Sequence, residues 1–103
     1  MNEEDLFLDY RIAVIGLGLI GGSLALRLKN SSKSLMAVDP DPDTQRIALN
    51  NQIVEKISGN PADVIPHADV IVLAAPVTSI IEIIPKLPVL HPGSPIVIDL
   101  GST

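Results

Sequence analysis

Three glycines at the spacing Gly16-x-Gly18-x-x-Gly21 stand between a short β-branched run, Arg11–Ile15, and a segment rich in helix formers, Ser23–Lys29. A glycine inside a regular element costs roughly 0.5–1 kcal/mol relative to alanine, so three in this register call for a reason. Between a strand and a helix, the first makes a tight turn and the second leaves the main chain bare for a close approach. The third lets the helix lie tightly on the strand. The pattern therefore predicts a βα unit opening a parallel sheet covered by helices, and it argues against one continuous hydrophobic helix.

The rest of the chain continues in the same alternation. Leu35–Val38 reads as a second strand, closed by the prolines of "DPDPD" at 39–43, where Asp41 or Asp43 can cap a helix over Thr44–Asn50. Val54–Ile57 is a weak third strand, and Asn60-Pro61 is a cap with proline at the first helical position, opening a short helix through Ile65. Asp69–Ala75 is the strongest strand and stops at Pro76. Ser79 to Glu82 matches a capping box for a helix reaching about Leu87, with Pro85 expected to kink or shift it. Ile96–Asp99 is the last strand. Five strands joined by helical crossovers give an α/β, doubly wound parallel sheet of the Rossmann type. A six-stranded version with a substrate-carrying part needs more chain, so 11–103 reads as a dinucleotide-binding domain and a fragment of a larger architecture. Residues 1–10 read as a flexible acidic lead-in.

Composition supports this picture and removes several alternatives. Aromatics are only 2% of the 103 residues, so the core must be Ile, Val, Leu and Ala, the usual filling of a sheet buried on both faces. The net charge of −5, without a Lys/Arg cluster, argues against nucleic acid or an anionic membrane as a partner. The uncharged stretch Ile12–Leu26 falls short of the about 20 residues that span a bilayer. The acidic Glu3, Glu4, Asp5 and Asp9 have the wrong sign for a signal peptide. With no cysteine there is no disulfide, thiolate metal site or cysteine nucleophile. No metal site is expected, and the cytoplasm is the expected compartment.

The candidate ligand is a dinucleotide. The N-terminus of the helix after the glycines would offer its free N–H groups and positive dipole end to a pyrophosphate. Gly16, Gly18 and Gly21, with Leu19 and Ile20 between them, are the cofactor-binding candidates. Asp39 ends the second strand at roughly the twenty-residue spacing at which an acid meets the adenosine ribose hydroxyls. Its charge, with Asp41 and Asp43 beside it, repels a 2′-phosphate and favours NAD over NADP; Arg46 would favour NADP if it turned back toward the site. Ala75, Pro76 and Val77, after the fourth strand, lie at the expected switch point. His67 and His91 read as solvated loop residues.

With "GLGLIGGSLA" at 16–25, "VLAAPV" at 72–77 and "DLGST" at 99–103 in order, the chain resembles the prephenate/arogenate dehydrogenases of tyrosine biosynthesis. The likeness covers residues 11–103, corresponding to that family's N-terminal nucleotide-binding domain. Thr103 stands where the family more often has Val, followed by a Lys. The resemblance implies NAD(P)-dependent oxidative decarboxylation of prephenate to 4-hydroxyphenylpyruvate. It further implies a histidine beyond the G-S motif, which polarises the ring hydroxyl, and a serine, here Ser102, which helps to hold that site. Arginines of a helical, dimer-forming second domain would bind the substrate carboxylates. A ketopantoate reductase, a hydroxyacid dehydrogenase and a non-catalytic nucleotide sensor share the cofactor-domain pattern and are the alternatives.

Overall fold

The computed structural model describes residues 9–100; the acidic lead-in over 1–8 and Ser102 lie outside them. Five parallel strands carry the fold: β1 (Arg11–Ile15), β2 (Ser34–Val38), β3 (Lys56–Ser58), β4 (Val70–Leu73) and β5 (Ile96–Asp99). Their order across the sheet is β3-β2-β1-β4-β5, the doubly wound arrangement. Helices α1 (Leu19–Leu28) and α2 (Pro42–Asn50) follow β1 and β2, and α3 (Val77–Ile83) and α4 (Leu87–Leu90) join β4 to β5.

Alternation along each strand divides the core between two faces. Ile12, Val14, Leu35, Ala37, Val70 and Val72 point to one side and pack with Ala25 of α1 and Ala48 of α2. Ala13, Ile15, Met36, Val38, Ile71 and Leu73 point to the other and pack with Ile80, Ile83 and Leu87. Register locks this division, with Ala13 opposite both Met36 and Ile71. A slip of one residue would exchange the two faces. β5 differs from its neighbour: Ile96, Val97 and Ile98 are 51%, 43% and 36% exposed, so both of its faces are uncovered among the described residues.

Several boundaries differ from the sequence expectation for local reasons. α1 begins at Leu19, not at Ser23, so Gly21 and Gly22 lie in its first turn. Close packing there outweighs glycine's low helix propensity. β3 starts two residues later than expected, at Lys56. The helix expected through Ile65 is instead two 3₁₀ turns, Pro61–Asp63 and Ile65–His67. Pro66 lacks the N–H that a continuous helix would need there. The capping box is not formed. α3 starts at Val77 with Pro76 at its N-cap, which leaves Ser79 inside the helix with no capping role. Pro76 takes the chain straight from the end of β4 into the helix. At Pro85 the helix gives way to a 3₁₀ turn, Ile84–Lys86, before α4, as the proline predicts.

Candidate functional site

At the carboxyl ends of β1, β2 and β4 the sheet order reverses, because the chain leaves β1 toward β2 on one side and reaches β4 on the other. Such a switch point leaves a crevice between diverging loops. Here the crevice is a cleft of about 490 Å³, floored by Ile15, Gly16, Val38 and Ala75. Asp39, Pro40, Gly59 and Pro61 form one wall, and Pro76, Ser79, Glu82, Ile83 and Lys86 form the other.

The glycines divide their work. Gly16 has φ +94°, a conformation L side chains rarely adopt, and its N–H donates to the Val38 carbonyl at 2.7 Å. An added Cβ would stand 2.7 Å from the Ala75 Cα and 2.8 Å from its nitrogen, so the turn presses directly on the end of β4. Gly21 is buried, and a Cβ there would run into the Gly16 carbonyl oxygen and come within 3.2 Å of the Ala74 Cβ. It serves helix–strand packing and does not line the cleft. Gly18 is the opposite case: nothing lies within 4 Å of the position its Cβ would take. That is the bare main chain the motif calls for.

Gly18 is also the N-cap of α1, and no side chain caps this helix. The entrance to α2 is closed by contrast, since the Asp41 carboxylate accepts the Asp43 N–H at 3.1 Å and Pro42 holds the first turn. α1 therefore presents its first amides and its dipole to whatever lies beside Gly18. Leu19 and Ile20 supply the first two residues of that helix. Val77, an expected contact, begins α3 and is 43% exposed, outside the residues that line the cleft.

Asp39 joins the two halves of the site. Its Oδ2 accepts the Leu17 N–H at 2.9 Å, across from β2 to the glycine turn, and its Oδ1 accepts the Asp41 N–H at 3.0 Å. A carboxylate oxygen has lone pairs to spare after one such bond, so both oxygens keep capacity toward a ligand hydroxyl. Arg46 does not turn back toward the cleft. Its guanidinium meets Asp43 at 3.2 Å within α2, where both side chains are largely exposed.

The histidines lie elsewhere. His67 closes the 3₁₀ turn before β4, at the opposite rim of the sheet. His91, expected to be a solvated loop residue, is half buried: its Nε2 meets the Ala68 carbonyl at 2.6 Å and its Nδ1 accepts the Gly93 N–H at 2.9 Å. Those partners require the proton on Nε2 and give the ring a structural role. Gly59, Pro61, Ser79 and Lys86 were not anticipated; they follow β3 and β4, and only the sheet order brings them to one cleft. Gln45 of α2, equally unanticipated, does not line the cleft but reaches the Asp39 carbonyl beside Gly59. Among the described residues, no cluster of acidic or histidine side chains is arranged to hold a metal, and no helix is long and apolar enough to cross a membrane.

The chain is similar to several known proteins. A family described as NADP oxidoreductase coenzyme F420-dependent matches residues 11–102. Arogenate dehydrogenase from Synechocystis is 31% identical and superimposes with a TM-score of 0.81, over 90% of this chain and 33% of that one. Prephenate dehydrogenase from A. aeolicus, solved with hydroxyphenyl propionate and NAD+, is 27% identical with a TM-score of 0.79, over 90% of this chain and 34% of that one. Scyllo-inositol dehydrogenase from Lactobacillus casei, with bound NAD(H) and scyllo-inositol, shares the fold at a TM-score of 0.72 and 19% identity, over 88% of this chain and 27% of that one. The chain thus spans about a third or less of the length of these structures.

Proposed function

The chain belongs to the NADP oxidoreductase coenzyme F420-dependent family, and on that premise we propose that it is the NAD-binding part of a prephenate or arogenate dehydrogenase. The observation that carries this is the Asp39 carboxylate bonded to the Leu17 amide, an acid fixed beside an open glycine turn at the switch point. The residues fit a dinucleotide. The main chain at Gly18 carries nothing within 4 Å of its Cβ position, the amides of Leu19 and Ile20 open an uncapped helix, and Asp39 stands at the spacing along the motif expected of a ribose-binding acid. When bound, the nicotinamide would accept hydride from the substrate. Gly16 and Ala75 shape the turn, while Pro40, Pro61 and Ile83 give apolar walls for the base.

The family description names NADP, whereas the charges at this site favour NAD. A 2′-phosphate would be brought against the Asp39 carboxylate with Asp41 and Asp43 close in sequence, and the one arginine of α2 is already paired to Asp43. Like charges at close range disfavour binding strongly when partly shielded from water. The prephenate or arogenate substrate is supported by the two likenesses and by the Asp99-Leu100-Gly101-Ser102 segment. Ser102 is proposed on its motif position to help hold the substrate site.

Calorimetric titration tests the cofactor. NADH should bind at least roughly tenfold more tightly than NADPH, a difference of about 1.4 kcal/mol. Asp39→Asn, whose one oxygen can serve the Leu17 amide while its NH₂ then faces the Asp41 amide, removes the charge and should bring the two affinities together. Equal affinities in the unaltered chain would remove the specificity argument. The substrate is tested in the whole protein by NADH formation with prephenate and with arogenate. Turnover with neither, beside intact NADH binding, would leave the dinucleotide site standing and reject the substrate.

A further inference from the structure

Asp39 is held at each of its polar groups. Its N–H donates to the Ser58 carbonyl at 3.0 Å, and its two carboxylate oxygens accept the Leu17 and Asp41 amides. Its own carbonyl accepts from the Gln45 Nε2 at 2.7 Å. Three of these partners are main chain, fixed once the strands and the entry to α2 have formed. The fourth is a side chain on α2, reaching back across six residues.

That side chain is well placed to matter. Gln45 is half buried, and its amide lies against Gly59, where an added Cβ would come within 3.4 Å of Nε2 and 3.6 Å of the Pro40 Cα. Only the NH₂ end of the amide can serve a carbonyl oxygen, so the acceptor sets its orientation. The Asp39 carbonyl belongs to the peptide plane that leads through Pro40 to Asp41, and the Asp41 N–H is one of the two amides gripping the carboxylate. Turning that plane would move the Asp41 amide and release the carboxylate from one side. A polar group that reads a ligand hydroxyl has to stay within about 0.5 Å of its productive position.

We propose that Gln45 is a positioning residue of the dinucleotide site: its amide fixes the Asp39–Pro40 peptide plane, and through it the stance of the Asp39 carboxylate toward the ribose hydroxyls. The inference rests on the reading that Asp39 meets those hydroxyls. Gln45 itself is assigned no contact with the ligand.

The test is Gln45→Met, which keeps the length of the side chain and removes the donor. NADH and NADPH are titrated calorimetrically into the unaltered chain and the variant, and thermal unfolding is followed in parallel. NADH affinity should fall roughly fivefold, the measure of one intramolecular hydrogen bond. NADPH, which has less to gain from a well-placed Asp39, should lose less, so the preference for NADH shrinks. A merely structural role would weaken both nucleotides alike and leave the ratio unmoved, and that result overturns the proposal. Should Gln45→Met fail to fold, Gln45→Ala removes the donor without adding a charge beside the site. The same ratio decides there. If the unaltered chain binds neither nucleotide, the reading of the site falls and this inference with it. If it prefers NADH and both variants keep that preference, only the role of Gln45 falls.

Discussion

Replacing Gly16 by alanine and Gly18 by valine should give opposite outcomes, although the two positions are neighbours in one turn. Gly16→Ala forces an L side chain into φ +94° and drives its Cβ against the Ala75 main chain, which cannot step aside. A loss of roughly 1–3 kcal/mol is expected, read from denaturant unfolding. Gly18→Val places its Cβ with no protein atom within 4 Å and keeps an ordinary backbone angle. Its circular dichroism and melting temperature should stay close to those of the unaltered chain, while NADH binding is lost. A Gly18→Val protein that still binds NADH would show that no ligand comes near this main chain. The turn at Gly16 and the helix–strand packing at Gly21 were legible from spacing alone, because each corresponds to one steric demand. Nothing of the kind pointed to Gln45, whose acceptor is a main-chain carbonyl and therefore leaves no mark in residue type.

Among the elements, β1 and β4 are tied at their amino ends by a clasp that sequence reading did not anticipate. The Asp69 carboxylate accepts the Arg11 main-chain N–H at 2.8 Å, and it meets Nε and Nη2 of the same residue at 3.2 and 3.1 Å. The Arg11 side-chain bonds, then its main-chain bond, hold the Asp69 carboxyl below its ordinary value; burial opposes them, and the charges of Arg11 and Lys33 assist. A carboxyl with a lowered folded pKa adds stability above its unfolded value and loses it as pH falls through the folded one. Asp69→Asn should therefore melt about two degrees lower at neutral pH, small because the pair is exposed. The gap should close once the pH has dropped below the usual carboxylate range near 3.8. A gap that persists in acid would assign the effect to geometry instead of charge. Local signals otherwise fared according to their chemistry. Asp41-Pro42 capped α2 as its residues predict, whereas Ser79 and Glu82 lost to Pro76, a stronger local constraint that the capping pattern does not include.

For the molecule as a whole, the alternation of strands and helices was legible because Ile, Val and Ala runs can only be buried on both faces of a parallel sheet. The cleft was half legible: the glycine turn and Asp39 are local patterns, while its far walls exist only through the β3-β2-β1-β4-β5 order. The strand Ile96–Asp99 matched its expected limits, yet its surroundings did not match, since a run that reads as buried is exposed. That difference makes the sheet mechanically lopsided. β1 and β4 each have a partner strand on both sides and helices on their faces, and opening them means breaking the core. Among the described residues, β5 is paired to β4 along one side only and carries little weight above or below. Amides of β5 should exchange with deuterium at least roughly tenfold faster than those of β1 and β4, through local opening that leaves the rest intact. Equal protection in the isolated chain would mean the sheet opens as a unit. If the gradient is seen, fraying starts at the strand that leads into the Gly101-Ser102 segment, and the cleft at the ends of β1, β2 and β4 keeps its shape while it happens.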